Sequence, residues 1–227
     1  GDVHPIALSP WSVQEMYDLT VRAFNLSERY RVPTFVLADE AVAHLRETAV
    51  LDPEPETVDR RKEAGAAPFG MDDPAGVPPM PAFGEGENLL VTGSTHDRWG
   101  FRRVNHPQVQ AEQVERINRK ITDHRDEIVT VDGHMLQDAE VVIVAYGFTA
   151  RAALAATRTL RAGGVKAGLL RLVTIWPFAV GHVQEAARRA EHVVVPEMNR
   201  GQVASLVERH ARTDVHRLCQ TDGKVIE

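Results

Sequence analysis

The sequence predicts an α/β protein built on a parallel sheet with helices on both of its faces. Three observations carry that expectation. The run AEVVIVAYG at 139–147 is continuously apolar and of strand length, the pattern of a parallel strand buried on both sides. From there to residue 219, strand and helix patterns alternate at short spacing, which calls for right-handed crossovers back into one sheet. Hydrophobic residues make up 43% of the 227 residues, a globular composition with enough apolar surface for a sizeable core.

The elements follow in chain order. IALSP at 6–10 is a short apolar strand closed by Ser9-Pro10. Ser12-Val13-Gln14-Glu15 is a capping box, in which the Ser takes an early backbone N–H and the Glu reaches back. The helix it starts runs to about Tyr30, because Met16, Leu19, Ala23, Leu26 and Tyr30 recur at helical spacing on one face. Arg31 and Pro33 end it. PTFVLA at 33–38 is a second strand with Asp39-Glu40 at its tip. Two strands and one helix are too little to bury their own faces, so residues 1–50 are expected to be part of a domain rather than a whole one.

Residues 52–88 carry seven of the thirteen prolines and no periodicity. They read as a linker, and Pro78-Pro79-Met80-Pro81 favours extended backbone. The expected division is therefore 1–50, a Pro/Gly-rich linker at 51–88, and a second domain at 89–227. LLVTGSTHDRWG at 89–100 reads as a short strand and a polar turn, and a helix is expected from about Pro107 to Glu127 with Val114, Ile117 and Ile121 as its stripe. Beyond the strand at 139–147 come a helix over 149–160 stopped by Gly163-Gly164, a strand over 166–173, and a helix over 181–190. A strand over 192–195, a helix over 202–212 and a strand over 215–219 follow.

Composition narrows the function classes. The formal charge of −6 and the lack of a basic stripe argue against a nucleic-acid surface. Cys219 is the single cysteine, so no intrachain disulfide or Cys cluster is expected, and the default compartment is a reducing cytoplasm. No apolar run reaches the ~18–20 residues of a membrane span, and no signal peptide is recognisable. The histidines form no HxxxH or HxH pair, so a metal site is not expected. Beginning at Gly1 and ending in TDGKVIE, the sequence reads as a piece of a longer polypeptide.

In a parallel sheet, ligands and partners meet the loops at the carboxyl ends of the strands. GFT at 147–149, TIWPF at 174–178 and EMNRG at 197–201 all fall on that edge. Glu197, Asn199 and Arg200 are therefore candidates for contact with a neighbouring subunit or for the edge of an active site. A plain polar turn in which Asn199 or Gly201 caps the next helix stands beside that reading. His96 and Asp97 are a second candidate pair, able to bind a carboxylate or move a proton; the alternative is a turn in which Asp97 bonds its own backbone. Asp39-Glu40 reads as an interface or solvated pair, and Gly147-Phe148-Thr149 as packing rather than a phosphate cradle. Trp11, Trp99 and Trp176 are expected to be buried or interfacial.

The pattern AEVVIVAYGFTARAALAATRTLRAGGVKAGLLRLVTIWPF…HVVVPEMNRGQ resembles the transketolase C-terminal-like domain, in the version found in the alpha subunit of 2-oxoacid:ferredoxin oxidoreductases. ALSPWSVQEMYDLTVRAFNLSERYRVPTFVLADE resembles the last part of that subunit's pyrimidine-binding domain, and VPPMPAFGEG and VTGSTHDRWG resemble the segment joining the two. VTGSTHD and VPEMNRGQ together point to the 2-oxoglutarate branch more than to the pyruvate branch, and tell against a transketolase or a lipoamide-linked dehydrogenase component. The resemblance implies an enzyme dependent on thiamine diphosphate (ThDP). It decarboxylates a 2-oxo acid, passes two electrons singly to ferredoxin, and transfers the acyl group to coenzyme A, forming succinyl-CoA from 2-oxoglutarate. It further implies that ThDP, Mg²⁺ and a [4Fe-4S] cluster are held mainly by a partner beta subunit, in a cytoplasmic dimer of heterodimers. The glutamate that assists the aminopyrimidine lies in the first half of the pyrimidine-binding domain, outside this sequence. The expectation is thus that this stretch binds no cofactor alone and supplies no catalytic residue. A non-catalytic subunit-assembly module on the same fold is the alternative.

Overall fold

A computed structural model describes residues 3–227. In chain order the elements are β1 (Ile6–Leu8), α1 (Val13–Tyr30), β2 (Thr34–Val36), α2 (Glu40–His44), α3 (Pro107–Thr122), α4 (Arg125–Ile128), β3 (Val131–His134) and β4 (Val141–Tyr146). They continue with α5 (Thr149–Ala162), β5 (Ala167–Leu172), β6 (Thr174–Trp176), α6 (Val180–Ala187), β7 (His192–Glu197), α7 (Gln202–Ala211) and β8 (Val215–Cys219). The chain forms two compact units. One takes the described residues up to Ile6 with Val21–Thr34 and Glu54–Ile128; the other takes Ala7–Thr20, Phe35–Pro53 and Val129–Glu227. These units cut across the expected boundaries at 50 and 88.

The second unit holds a five-stranded sheet in the order β3-β5-β4-β7-β8. The four strands β5, β4, β7 and β8 are parallel, with Val144 opposite Leu170 and Val142 opposite Val193. Alternation in the pleat sends successive side chains to opposite faces. Val142, Val144, Leu170, Leu172, Val193 and Val195 pack with Val183 and Ala187 of α6 and Val203, Ala204 and Val207 of α7. Ile143, Ala145 and Leu169 face the other way, against Ala150 and Ala153 of the Ala-rich α5. Helices therefore cover both faces, as expected. Each fully buried aliphatic side chain contributes roughly 1.5–3 kcal/mol. The edge strand β3 runs antiparallel to β5 and has no apolar run of its own to announce it.

A smaller sheet runs β2-β1-β6. β1 pairs antiparallel with β6, Ala7 opposite Trp176 and Leu8 opposite Thr174. The short strand expected at 6–10 thus finds its partner about 170 residues along the chain, and Leu8 is fully buried. The capping box forms: Ser12 Oγ accepts the Glu15 N–H at 3.2 Å, and Glu15 reaches back to the Trp11 N–H at 3.0 Å.

In the first unit the second half of α1 is the spine. Ala23, Leu26 and Tyr30 are buried along the expected face. Residues 52–88 contain no helix or strand, as the proline content requires, but they are not a loose tether. Asn25 donates to Glu56 O at 2.8 Å and accepts from the Val58 N–H at 2.9 Å, and Arg60 forks onto both carboxylate oxygens of Glu28 at 2.6 Å. Arg31 donates to Pro68 O at 2.7 Å and Pro78 O at 2.8 Å. The strand expected over 89–92 does not form: no neighbouring strand offers it a ladder, and Leu90 and Val91 are about half exposed. The helix expected to run to Glu127 breaks at Asp123 and His124, where the His124 ring nitrogen bonds Lys120 O at 3.1 Å, and resumes as the single turn α4.

Candidate functional site

The carboxyl edge of the parallel sheet is built from the ends of β4 and β7 and the loops behind them. Glu197, the last residue of β7, is 1% exposed. Its side-chain oxygens accept the N–H groups of Val203 at 3.2 Å and Ala204 at 2.9 Å, in the first turn of α7. Tyr146, ending β4, donates its hydroxyl to Glu197 at 3.1 Å and accepts from Asn199 Nδ2 at 2.6 Å. Asn199 Oδ1 accepts the N–H groups of Gly201 at 2.9 Å and Gln202 at 3.2 Å. Gly201 occupies the N-cap at φ 92°, a left-handed conformation that suits glycine. Burial pushes the Tyr146 phenol well above its ordinary range, and the neighbouring Glu197 adds to the effect. The acid and the amide of the EMNRG loop therefore cap α7, satisfying donors that a helix start leaves open. Arg200 is exposed and has no polar partner among the described residues.

The N-terminus of α5 is also filled. Asp39 Oδ2 accepts the Phe148 N–H at 2.6 Å. Gly147 has φ 53°, and a Cβ there would collide with that same Asp39 oxygen. Asp39 is thus a capping group on the turn that precedes α5, not half of a carboxylate pair. A helix start suits an anion, and at both α5 and α7 this chain supplies its own carboxylate.

Beneath that edge lies a group that sequence reasoning missed. Arg171, the penultimate residue of β5, is 0% exposed. Its guanidinium bonds Asp132 Oδ2 at 2.7 Å and Glu15 Oε1 at 2.8 Å, bonds Glu15 Oε2 as well, and lies 3.9 Å over the Trp11 ring. The signal was present in AGLLRL: a charge inside an apolar strand demands partners, since Arg is almost never fully buried unpaired.

The His96-Asp97 turn belongs to the other unit. Asp97 Oδ1 accepts the N–H groups of Trp99 and Phe101, both at 3.0 Å, and Oδ2 lies 3.1 Å from Arg103. Asp97 therefore organises its own turn. His96 is 8% exposed; Nδ1 lies 2.7 Å from Ser94 O, and its ring meets the Phe69 ring edge-on at 4.5 Å. The five candidates thus separate: Glu197 and Asn199 meet on Tyr146, Arg200 projects outward, and His96 and Asp97 lie in the other unit. Trp99 is 47% exposed, while Trp11 and Trp176 are partly buried. Among the described residues no group of His, Cys, Asp or Glu is placed to hold a metal ion, and no helix is long and apolar enough to cross a membrane.

Two family models match the chain. Residues 2–116 match the thiamine diphosphate-binding domain of pyruvate flavodoxin/ferredoxin oxidoreductase, and residues 139–227 match core domain II of pyruvate:ferredoxin oxidoreductase. The 2-oxoglutarate synthase subunit KorA of Methanocaldococcus jannaschii is 44% identical over 92% of this chain and 56% of its own length. KorA of Methanothermobacter thermautotrophicus is 43% identical over 93% of this chain and 57% of its own length. The ketoisovalerate oxidoreductase subunit VorB of Methanothermobacter marburgensis is 31% identical over 100% of this chain and 58% of its own length. The chain thus spans little more than half the length of these relatives. A solved 2-oxoglutarate:ferredoxin oxidoreductase from Magnetococcus marinus, with 2-oxoglutarate, coenzyme A and succinyl-CoA bound, superposes with a TM-score of 0.85 at 22% identity, over 98% of this chain and 40% of that one. By these matches, the chain belongs to the pyruvate flavodoxin/ferredoxin oxidoreductase family.

Proposed function

We propose that the chain is part of the alpha subunit of a 2-oxoglutarate:ferredoxin oxidoreductase. The observation that carries the branch is the gap between 44% identity to a 2-oxoglutarate synthase subunit and 31% to a ketoisovalerate one. The whole enzyme would decarboxylate 2-oxoglutarate oxidatively, pass two electrons singly to ferredoxin, and form succinyl-CoA from coenzyme A. Bound ThDP would supply the stabilisation of negative charge at the decarboxylated carbon.

The residues of this stretch do not fit the diphosphate of that cofactor. Both helix starts at the sheet's carboxyl edge carry a carboxylate of the chain itself, Asp39 at α5 and Glu197 at α7. This supports a supporting role, with ThDP, Mg²⁺ and [4Fe-4S] held mainly by a partner beta subunit in a cytoplasmic dimer of heterodimers. The alternative, a non-catalytic assembly module, draws on the same observation. Arg200 would serve as a subunit contact in either case, because it is the exposed charge of its loop and arginine is enriched in interfaces.

The test is Arg200→Ala in the full-length subunit. Association with the partner should weaken by about 2 kcal/mol if Arg200 is a buried hot spot in the complex. Turnover of 2-oxoglutarate per assembled complex should change little. Normal assembly with a large loss of turnover would place the loop in the active site instead. Absence of any 2-oxoglutarate-dependent dye reduction by the assembled wild type, with turnover of another 2-oxo acid, would overturn the branch.

A further inference from the structure

Within the first unit, a cleft of about 390 Å³ is walled by Phe69, Asp72, His96, Arg98, Gln113 and Arg116. That is a size suited to a small molecule. Two of its lining side chains, His96 and Arg116, are buried and carry nitrogens without a hydrogen-bond partner. His96 Nε2 is buried and bonds nothing, although its other nitrogen is engaged. Arg116 is 7% exposed and has no hydrogen bond or ion pair among the described residues; its guanidinium lies 5.7 Å over the Phe69 ring. A buried polar atom left unmatched normally has an explanation, and of the cleft residues His96 Nε2 is such an atom, whereas the Arg116 nitrogens keep contact with solvent.

The surroundings make the imbalance larger. Arg31 also lies over Phe69, at 5.6 Å, and Lys120 Nζ donates to Arg31 O at 2.6 Å. Arg31 is held by the carbonyls of Pro68 and Pro78 and by Met80 Sδ, not by a carboxylate. Two buried cations, Arg116 and Lys120, and the half-buried Arg31 therefore sit together without a buried anion. The charges repel: burial pushes the Lys120 amine down to about 7, with Arg116 and Arg31 adding to the fall. The carboxylates on the cleft are otherwise engaged or outlying. Asp72 is 73% exposed at the rim and pairs with Arg98, Asp97 is tied to its own turn and Arg103, and Glu112 is exposed on α3.

We propose that this cleft binds a compact anionic group, a phosphate or carboxylate of a small molecule, with Arg116 and His96 Nε2 as its inner donors and Arg98 at its mouth. A planar guanidinium offers two parallel N–H groups to either anion. Because Nδ1 must donate to the Ser94 carbonyl, His96 Nε2 adds a third N–H direction in the imidazolium form, and the Phe69 ring gives the rest of the ligand an apolar wall. The assignment rests on the geometry of this unit and not on the reading of the enzyme's substrate.

The test is calorimetric titration of the full-length subunit at low ionic strength with inorganic phosphate and, separately, with succinate, following the His96 imidazole resonances in ¹⁵N-histidine-labelled protein. Saturable binding with a shift confined to His96 is expected, weakened about tenfold or more by Arg116→Gln. Arg116→Lys, which keeps the charge, should retain part of it if the glutamine variant proves unstable. Tighter binding of phosphate identifies a phosphoryl ligand, and tighter binding of succinate a carboxylate one. Absence of saturable binding, or binding that Arg116→Gln and Arg116→Lys leave unchanged, would overturn the proposal. Binding to the free subunit that disappears in the assembled enzyme would overturn it too, by assigning the cleft to an acidic side chain of a partner subunit.

Discussion

In the sheet unit, the buried Arg171 meets two carboxylates, Glu15 and Asp132, and an indole face. In the other unit, the buried Arg116 and Lys120 and the half-buried Arg31 lie together and meet carbonyls, a thioether and a phenyl ring, but no carboxylate. The contrast bears on what each unit can do. Charge that is paired inside a packed sheet adds cohesion, and of the Arg171 guanidinium only the buried Nε is left without a hydrogen-bond partner. Charge that is unmatched lowers the stability of its surroundings and leaves capacity to bind an anion. The packing differs in the same direction: one unit has interdigitated aliphatic layers on both sides of its sheet, the other a proline-rich segment tied to α1 by side chain-to-backbone bonds.

The strongest way to break the contrast is Arg171→Ala. Removing the cation strands Glu15 and Asp132 and opens a gap beside Trp11. A loss of about 3–5 kcal/mol is expected in urea unfolding, the range for breaking a buried pair. Arg31→Met should cost less, about 1–2 kcal/mol, because it removes hydrogen bonds to two carbonyls but also removes a charge that its neighbours repel. Its mark should be local, as faster proteolysis within residues 54–88. If Arg31→Met cost as much as Arg171→Ala, the two units would be holding charge in the same way.

A pH series sharpens the point. The Lys120 amine has an ordinary value of 10.5 and is pushed down to about 7, chiefly by burial. The folded state thus favours the neutral amine. The stability this contributes is complete above the unfolded value and is lost as pH falls through about 7. Stability should therefore rise from about pH 7 to about pH 9, by on the order of 1 kcal/mol per unit at most for one proton. Lys120→Met should flatten that rise. The Tyr30 phenol, raised to about 12 by burial and by Glu127, acts with the opposite sign, but only above its ordinary value of 10.0. The smallest effect is expected at Arg200, where alanine should change the stability of the chain by no more than about 0.5 kcal/mol.

What could be read from the sequence follows the same division. The parallel strands were legible because two-sided burial writes an unbroken apolar run, as in VVIVAY, and α1 because its face repeats at helical spacing with a capping box in front. β3 was not legible: VDGH carries no apolar period, and its place comes from pairing with β5. LLVT carried a strand pattern that no neighbouring strand completes. At the site, the polar EMNRG loop stood out, but sequence alone could not separate contact from capping. Glu197 and Asn199 turn inward because α7 starts there with open N–H groups, a fact of three-dimensional proximity. Arg171 and Arg116 escaped notice for a related reason, since the partners that match the first, and their absence around the second, lie far along the chain.

Native-state hydrogen exchange tests the central claim, that cohesion is concentrated in the sheet unit while the proline-rich segment opens locally. Amides of Val142–Ala145, Leu169–Leu172 and Val193–Val195 should exchange slowest, through global unfolding, whereas amides of residues 58–80 should exchange through smaller, separate openings. Equal protection of residues 58–80 and of the β4, β5 and β7 amides would contradict it.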